Sequence, residues 1–131
     1  MIKCLIIDDD LDDQEIFLMC LKKVNTDINC LTMSDGVEAV GVLMSNPGYI
    51  PDYVFIDVNM PKMNGIDCLR ILKNMPQLQY TKFFMYSTTA EGSAVTESKK
   101  LGADDFIVKP ARTAELKEKL TTIFKIVSEI A

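Results

Sequence analysis

Residues 1–17 read MIKCLIIDDDLDDQEIF. An apolar run, Ile2 to Ile7, stops against Asp8, Asp9 and Asp10, and a helical pattern begins directly after them. Carboxylates set side by side raise one another's pKa and cost free energy unless something positive sits among them. The stretch is therefore either a solvated turn whose charges point apart or half of a cation site. The apolar run predicts a buried strand. Asp10 predicts the N-cap of a helix from Leu11 to about Val24, with Phe17, Leu21 and Val24 on one face.

The same strand–helix step recurs to the end of the chain. Asn29–Met33, Tyr53–Ile56, Phe83–Ser87 and Phe106–Val108 read as strands two to five. Strands one, three, four and five are nearly continuous in apolar residues, the pattern of strands buried on both faces of a parallel sheet. Strand two reads as an edge. A second helix starts at Asp35, where Glu38 three residues on makes a variant of the capping box. A third runs from about Gly65 to Asn74, and a fourth from about Glu91 to Leu101, with Gly102 placed for a C-cap. The fifth starts near Thr113 and sets Leu116, Leu120, Ile123 and Val127 along one stripe. Alternation of this kind implies right-handed crossovers and an open α/β sheet with helices on both faces. No repeat or linker interrupts it, so residues 1–131 are expected to form a single domain.

Hydrophobic residues at 48% and charged residues at 25% suit a soluble domain of this size. The net charge is −5 and the longest basic runs are the pairs Lys22–Lys23 and Lys99–Lys100, which argues against a nucleic-acid partner. No apolar segment is long enough to span a bilayer, and the start is strand-like with no leader pattern. Cys4, Cys20, Cys30 and Cys68 are scattered, as free thiols in a reducing cytosol would be. The expected location is cytoplasmic, with no membrane contact. The chain contains no histidine, so any chemistry must run on carboxylates, hydroxyls, lysine and a metal.

In an open parallel sheet, ligands bind beyond the carboxyl ends of the strands. Strand one ends in Asp8 and Asp9, strand three in Asp57, strand four in Ser87 followed by Thr88 and Thr89, and strand five in Lys109 and Pro110. Four strand ends thus offer three carboxylates, a hydroxyl and an ammonium. One or two carboxylates with retained waters and a substrate phosphate are how proteins hold Mg²⁺. The same set could receive a phosphoryl group, with Lys109 stabilising charge on its oxygens. Asp10, Asp12 and Asp13 read as ordinary acids at a helix N-terminus.

The segments IIDDD, FIDVNMPKMNG, MYST and FIVKP, in this order and spacing, resemble the receiver domain of bacterial two-component response regulators across essentially the whole chain. The resemblance implies a flavodoxin-like fold with strand order 2-1-3-4-5, which is also the order of the chemotaxis receiver. It implies that Asp57 is the phosphoacceptor, forming an acyl phosphate. Asp9 would bind Mg²⁺ (or Mn²⁺) directly and Asp8 through water, with Asp57 and the backbone carbonyl of Asn59 completing the protein's share. Ser87 and Lys109 would contact phosphoryl oxygens, and Thr88 would flank them. Phe106 would be the switch aromatic, here without the hydroxyl that a tyrosine would carry. The Lys109–Pro110 bond would be cis, and Gly65 would make room for the loop beside the site.

The implied function is two-component phosphorelay signalling. A histidine kinase or histidine phosphotransfer protein donates the phosphoryl group, and an unknown downstream protein reads the face of helix four, strand five and helix five. The chain would not be an enzyme beyond its own phosphorylation and dephosphorylation. Without an output domain it would act by protein–protein contact. An interaction module with a retired site has no reason to keep mutually repelling acids together. A flavin or nucleotide binder needs Ser, Thr or Gly where this chain has IIDDDLDD. An aspartate-based phosphohydrolase usually wants a second acid two residues after the nucleophile, where this chain has Asn59.

Overall fold

The computed structural model describes residues 1–25 and 27–130, with side chains through residue 124. Five strands alternate with five helices: β1 (Ile2–Ile7), α1 (Leu11–Val24), β2 (Ile28–Met33), α2 (Gly36–Ser45), β3 (Tyr53–Ile56), α3 (Gly65–Lys73), β4 (Lys82–Ser87), α4 (Gly92–Lys100), β5 (Asp105–Val108) and α5 (Thr113–Ile130). A 3₁₀ turn, Pro76–Leu78, links α3 to β4. All strand pairs are parallel, in the order β2-β1-β3-β4-β5. The expected flavodoxin-like sheet and its strand order are therefore borne out.

Side-chain alternation along the central strands divides the core in two. Leu5, Ile7, Val54, Ile56, Phe83 and Met85 point to one face and pack with Leu43 of α2 and Leu69 and Leu72 of α3. Cys4, Ile6, Tyr53, Phe55, Phe84 and Tyr86 point to the other, against Phe17 and Leu21 of α1 and Leu116, Leu120 and Phe124 of α5. Aromatic rings dominate the second layer: Phe17 lies 4.8 Å from Phe55 edge to face, and Phe55 stacks on Phe84 at 5.1 Å. Val127, expected on the same stripe of α5, lies outside the described side chains.

The predicted N-caps form, but in the expected capping box the Glu38 side chain accepts from Ser34 N at 3.3 Å instead of Asp35 N. Asp10 accepts from the N–H groups of Asp12 and Asp13, and Asp35 from that of Glu38 at 2.8 Å. Gly102 takes φ +96°, and Ala103 N donates to Ser98 O at 3.0 Å, closing α4 as a Schellman-type turn. β2 is half-exposed, as an edge strand should be. The expectation of two-sided burial fails for β5, where only Ile107 is buried and Val108 is 42% exposed. The strand order explains it: β5 is the opposite edge, and an apolar triplet looks the same at an edge as at the centre. No helix among the described residues is long and apolar enough to cross a membrane.

One contact in the frame is steric. A Cβ on Gly65, the first residue of α3, would lie 2.0 Å from the carbonyl oxygen of Asp57 and 2.9 Å from Cα of Val58. Gly65 N also donates to Val58 O at 2.7 Å, so the β3–α3 loop closes against the strand end with no space for a side chain. Gly65→Ala should therefore lower stability by about 3 kcal/mol or more, because backbone must move to admit the methyl group. Urea unfolding of the two proteins checks this, and a loss under 1 kcal/mol would contradict the packing described.

Candidate functional site

Backbone hydrogen bonds carry the sheet one residue past its strands, and this extension delivers the site. Asp8 N donates to Met33 O at 2.9 Å, Asp57 N to Ile7 O at 2.9 Å and Lys109 N to Ser87 O at 2.7 Å. The residues after β1, β3 and β5 are thus held in ladder geometry with Ser87, the last of β4, at the carboxyl rim. Asp8 is fully buried, Asp57 is 7% exposed and Ser87 is fully buried, while Asp9 faces solvent. Carboxylate oxygens of Asp8, Asp9 and Asp57 lie within 4.8 Å of one another. The structure therefore brings together the three acids, Ser87 and Lys109.

What sits among the acids is the Lys109 ammonium. Its Nζ is 2.7 Å from Asp8 Oδ2, 2.8 Å from Asp13 Oδ2 and 3.5 Å from Asp57 Oδ2, with its side chain only 8% exposed. The contact with Asp13 is an aligned hydrogen bond. That with Asp8 is an ion pair without hydrogen-bond alignment, and Asp8 Oδ2 is otherwise unpartnered. Asp8 Oδ1 accepts from Asp10 N at 3.0 Å. Beneath the ammonium, the Tyr86 ring lies 5.3 Å away. Burial alone would lower the Lys109 pKa; the hydrogen bond to Asp13 and the close Asp8 carboxylate outweigh it and hold the group well above the usual lysine range.

Asp13, read from sequence as an ordinary helix-end charge, is thus a site residue. The available signal was its place in the first turn of α1, since side chains there lean back toward the helix N-terminus and hence toward the rim. Gln14 is a second residue that sequence reasoning missed. Buried, it donates through Nε2 to Asp8 O at 2.6 Å and Met33 O at 3.3 Å, pinning the ends of β1 and β2 together.

The remaining predicted positions scatter around this centre. Thr88 and Asn59 are exposed at its margin. Phe106 is half-buried, packed against the α2–α3 core layer and lining a groove with Val95 and Ser98 of α4. Gly65 abuts the Asp57 backbone as described. The Lys109–Pro110 expectation is corrected: no described peptide bond is cis. The trans form of an X–Pro bond is favoured by about 0.5–1 kcal/mol, and Lys109 reaches the acids from it, so the site places no demand on the rarer isomer.

A match to the family model for the response regulator receiver domain spans residues 4–121. The chain belongs to the response regulator receiver domain family. It is 32% identical over 123 residues to chemotaxis protein CheY-3 of Vibrio cholerae, covering 94% of this chain and 92% of that one. Chemotaxis protein CheY of Thermotoga maritima is 31% identical over 116 residues, 88% and 94% of the two chains. Among solved structures, the CheX–CheY–BeF3–Mg complex of Borrelia burgdorferi aligns with TM-score 0.78 at 28% identity, over 94% of this chain and 89% of that one. The receiver functions in two-component phosphorelay signalling, as the sequence implied.

Burial is the main reason the Asp57 carboxyl is raised to about 6; the Lys109 charge opposes it, Asp8 adds to it, the Asn59 backbone N–H opposes it and Asp9 adds to it. The unfolded value is near 3.9. A native pKa above the unfolded one means the charged form costs stability above pH 6, with relief as pH falls through 6 and complete below 3.9. Without divalent cation, Asp57→Asn should therefore be more stable than wild type by about 2 kcal/mol at pH 7.5. Urea titrations in chelator should show that gap narrowing at pH 4.5; a gap that is absent or widens on acidification would contradict the assignment.

Proposed function

We propose that Asp57 is the phosphoacceptor of this receiver and that the acids, Ser87 and Lys109 form one transfer site around it. The observation that carries the reading is the buried Lys109 ammonium lodged among Asp8, Asp13 and Asp57 beside a buried Ser87 Oγ that has no partner among the described residues. An orphaned buried hydroxyl costs free energy and is suited to an incoming oxygen. In the transfer, an Asp57 oxygen attacks phosphorus and the donor's leaving group departs with its electron pair. Ser87 donates to one phosphoryl oxygen and Lys109 offers its charge to another. No base is required, because the carboxylate is already the nucleophile. The chemistry is confined to the protein's own aspartate.

A divalent cation, Mg²⁺ or Mn²⁺, fits the donor set. Asp8, Asp9 and Asp57 gather carboxylate oxygens within 4.8 Å of one another, the hard oxygen donors these ions take. Asp9, exposed and without an ion pair among the described residues, is free to bind directly. Asp8, tied to Lys109 and to Asp10 N–H, suits contact through water. Asp57 and the Asn59 carbonyl complete the set. Held there, the cation would supply positive charge beside the transferring phosphoryl oxygens.

These 131 residues contain no histidine, so the phosphohistidine lies outside them, on a histidine kinase or histidine phosphotransfer protein. Phe106, half-buried on β5 and lining a groove with Val95 of α4, is the ring that changes its environment when Asp57 is phosphorylated. A downstream protein reads that face. Thr88, exposed and next in sequence to Ser87, hinders a partner or attacking water at the phosphoryl group.

Acetyl phosphate with Mg²⁺ should add the mass of one phosphoryl group to the protein and nothing to Asp57→Asn; mass gained by the variant would refute the acceptor. Mg²⁺ at a hundred times its Kd should stabilise wild type by about 2.7 kcal/mol. Asp9→Ala should show much less of this rise in thermal melts, and identical curves with and without the ion in wild type would refute the cation site.

A further inference from the structure

We propose that Asp13 is a positioning residue for Lys109: it holds the ammonium while Asp57 is unmodified, and phosphorylation of Asp57 draws Lys109 from the first turn of α1 to the phosphoryl group. The inference rests on Asp57 being the acceptor. Lys109 Nζ donates a hydrogen bond of 2.8 Å to Asp13 Oδ2 but stands 3.5 Å from Asp57 Oδ2. Its shortest aligned bond therefore goes to a residue that takes no part in the transfer. Asp13 is 29% exposed in its side chain against 8% for Lys109, so the bond lies at the lip of the pocket. Asp13 can exchange this partner for water at little cost. Lys109, being buried, can leave only for another anion.

A phosphoryl group on Asp57 supplies that anion, with more negative charge than the carboxylate it replaces. In the reaction with acetyl phosphate, a bond forms between an Asp57 oxygen and phosphorus. The bond from phosphorus to the acetate oxygen breaks, acetate leaves with the electron pair, and Lys109 keeps its proton throughout. Nζ carries three donors, but moving it toward the phosphoryl oxygens lengthens its bond to Asp13, so the two compete for its position. Asp13 is thus a competitor for the ammonium, and its first-turn position makes α1 a second element that registers the state of the site. Asp12 is an internal control. It contributes the same charge to the same turn, but its carboxylate has no ion pair among the described residues.

Phosphorylation by acetyl phosphate at saturating Mg²⁺ should be followed in wild type, Asp12→Asn, Asp13→Asn and Asp13→Glu, with thermal melts confirming that each is folded. Asp13→Asn should raise the rate roughly tenfold, the scale of one charge-assisted hydrogen bond. Asp12→Asn should stay within about twofold of wild type, as an exposed unpaired charge should, and Asp13→Glu should return toward wild type. The ¹⁵N resonance of the Lys109 ammonium should shift in Asp13→Asn and, in wild type, on phosphorylation. A rate for Asp13→Asn at or below that of Asp12→Asn, or a Lys109 resonance unmoved by phosphorylation, overturns the inference and leaves the acceptor reading standing. Failure of wild type to be phosphorylated at all overturns both.

Discussion

One ammonium group, shared by three carboxylates at the carboxyl rim of the sheet, is the interaction on which the rest of the site depends. Asp8 is fully buried and Asp57 nearly so, and two such acids side by side are tolerable only with a compensating charge between them. Lys109 supplies it from the far side of the sheet, reaching across the end of β4 from β5 to β1 and β3. The acids at the chain's start are therefore reconciled by a residue a hundred positions later. The fold exists in part to bring the two together.

The compensation is incomplete, and that incompleteness gives the site its chemistry. Asp57 remains raised despite the nearby Lys109, because burial and the other two acids outweigh it. Asp8 is likewise raised, chiefly by burial, with Lys109 and the Asp10 N–H opposing. Residual negative charge of this kind, gathered from three acids, suits a divalent cation. Structural ion pairs elsewhere are of a different character. Arg70 bridges Asp67 and Glu97 between α3 and α4 with every partner largely in water, where the contribution is small.

Most of this architecture was legible from residue order. Continuous apolar runs gave β1, β3 and β4, and Asp10, Asp35 and Gly102 marked helix ends through local chemistry that needs no tertiary context. The rim residues were readable because a parallel sheet sends the ends of all its strands to one side. What escaped notice depended on three dimensions. Asp13 has a sufficient local explanation as a helix-end acid, and nothing in sequence says that Lys109 lies above it. The exposure of β5 comes from its position at the sheet edge, which Phe106–Val108 does not encode. Lys82 and Asp105 extend their strands through ladder pairing with a neighbour, not through any apolar preference of their own. The isomer at Pro110 turns on a difference of about 1 kcal/mol, below what a dipeptide reveals.

The contact between Gly65 and the Asp57 carbonyl also sets a direction for mechanical signalling. With the start of α3 packed against the main chain of Asp57, the two have no room to move closer together. A displacement of Asp57 toward α3 is therefore blocked, while the neighbouring strand ends that carry Ser87 and Lys109 lie on its other side. The missing methyl group is thus a stop that turns the message toward the opposite half of the sheet.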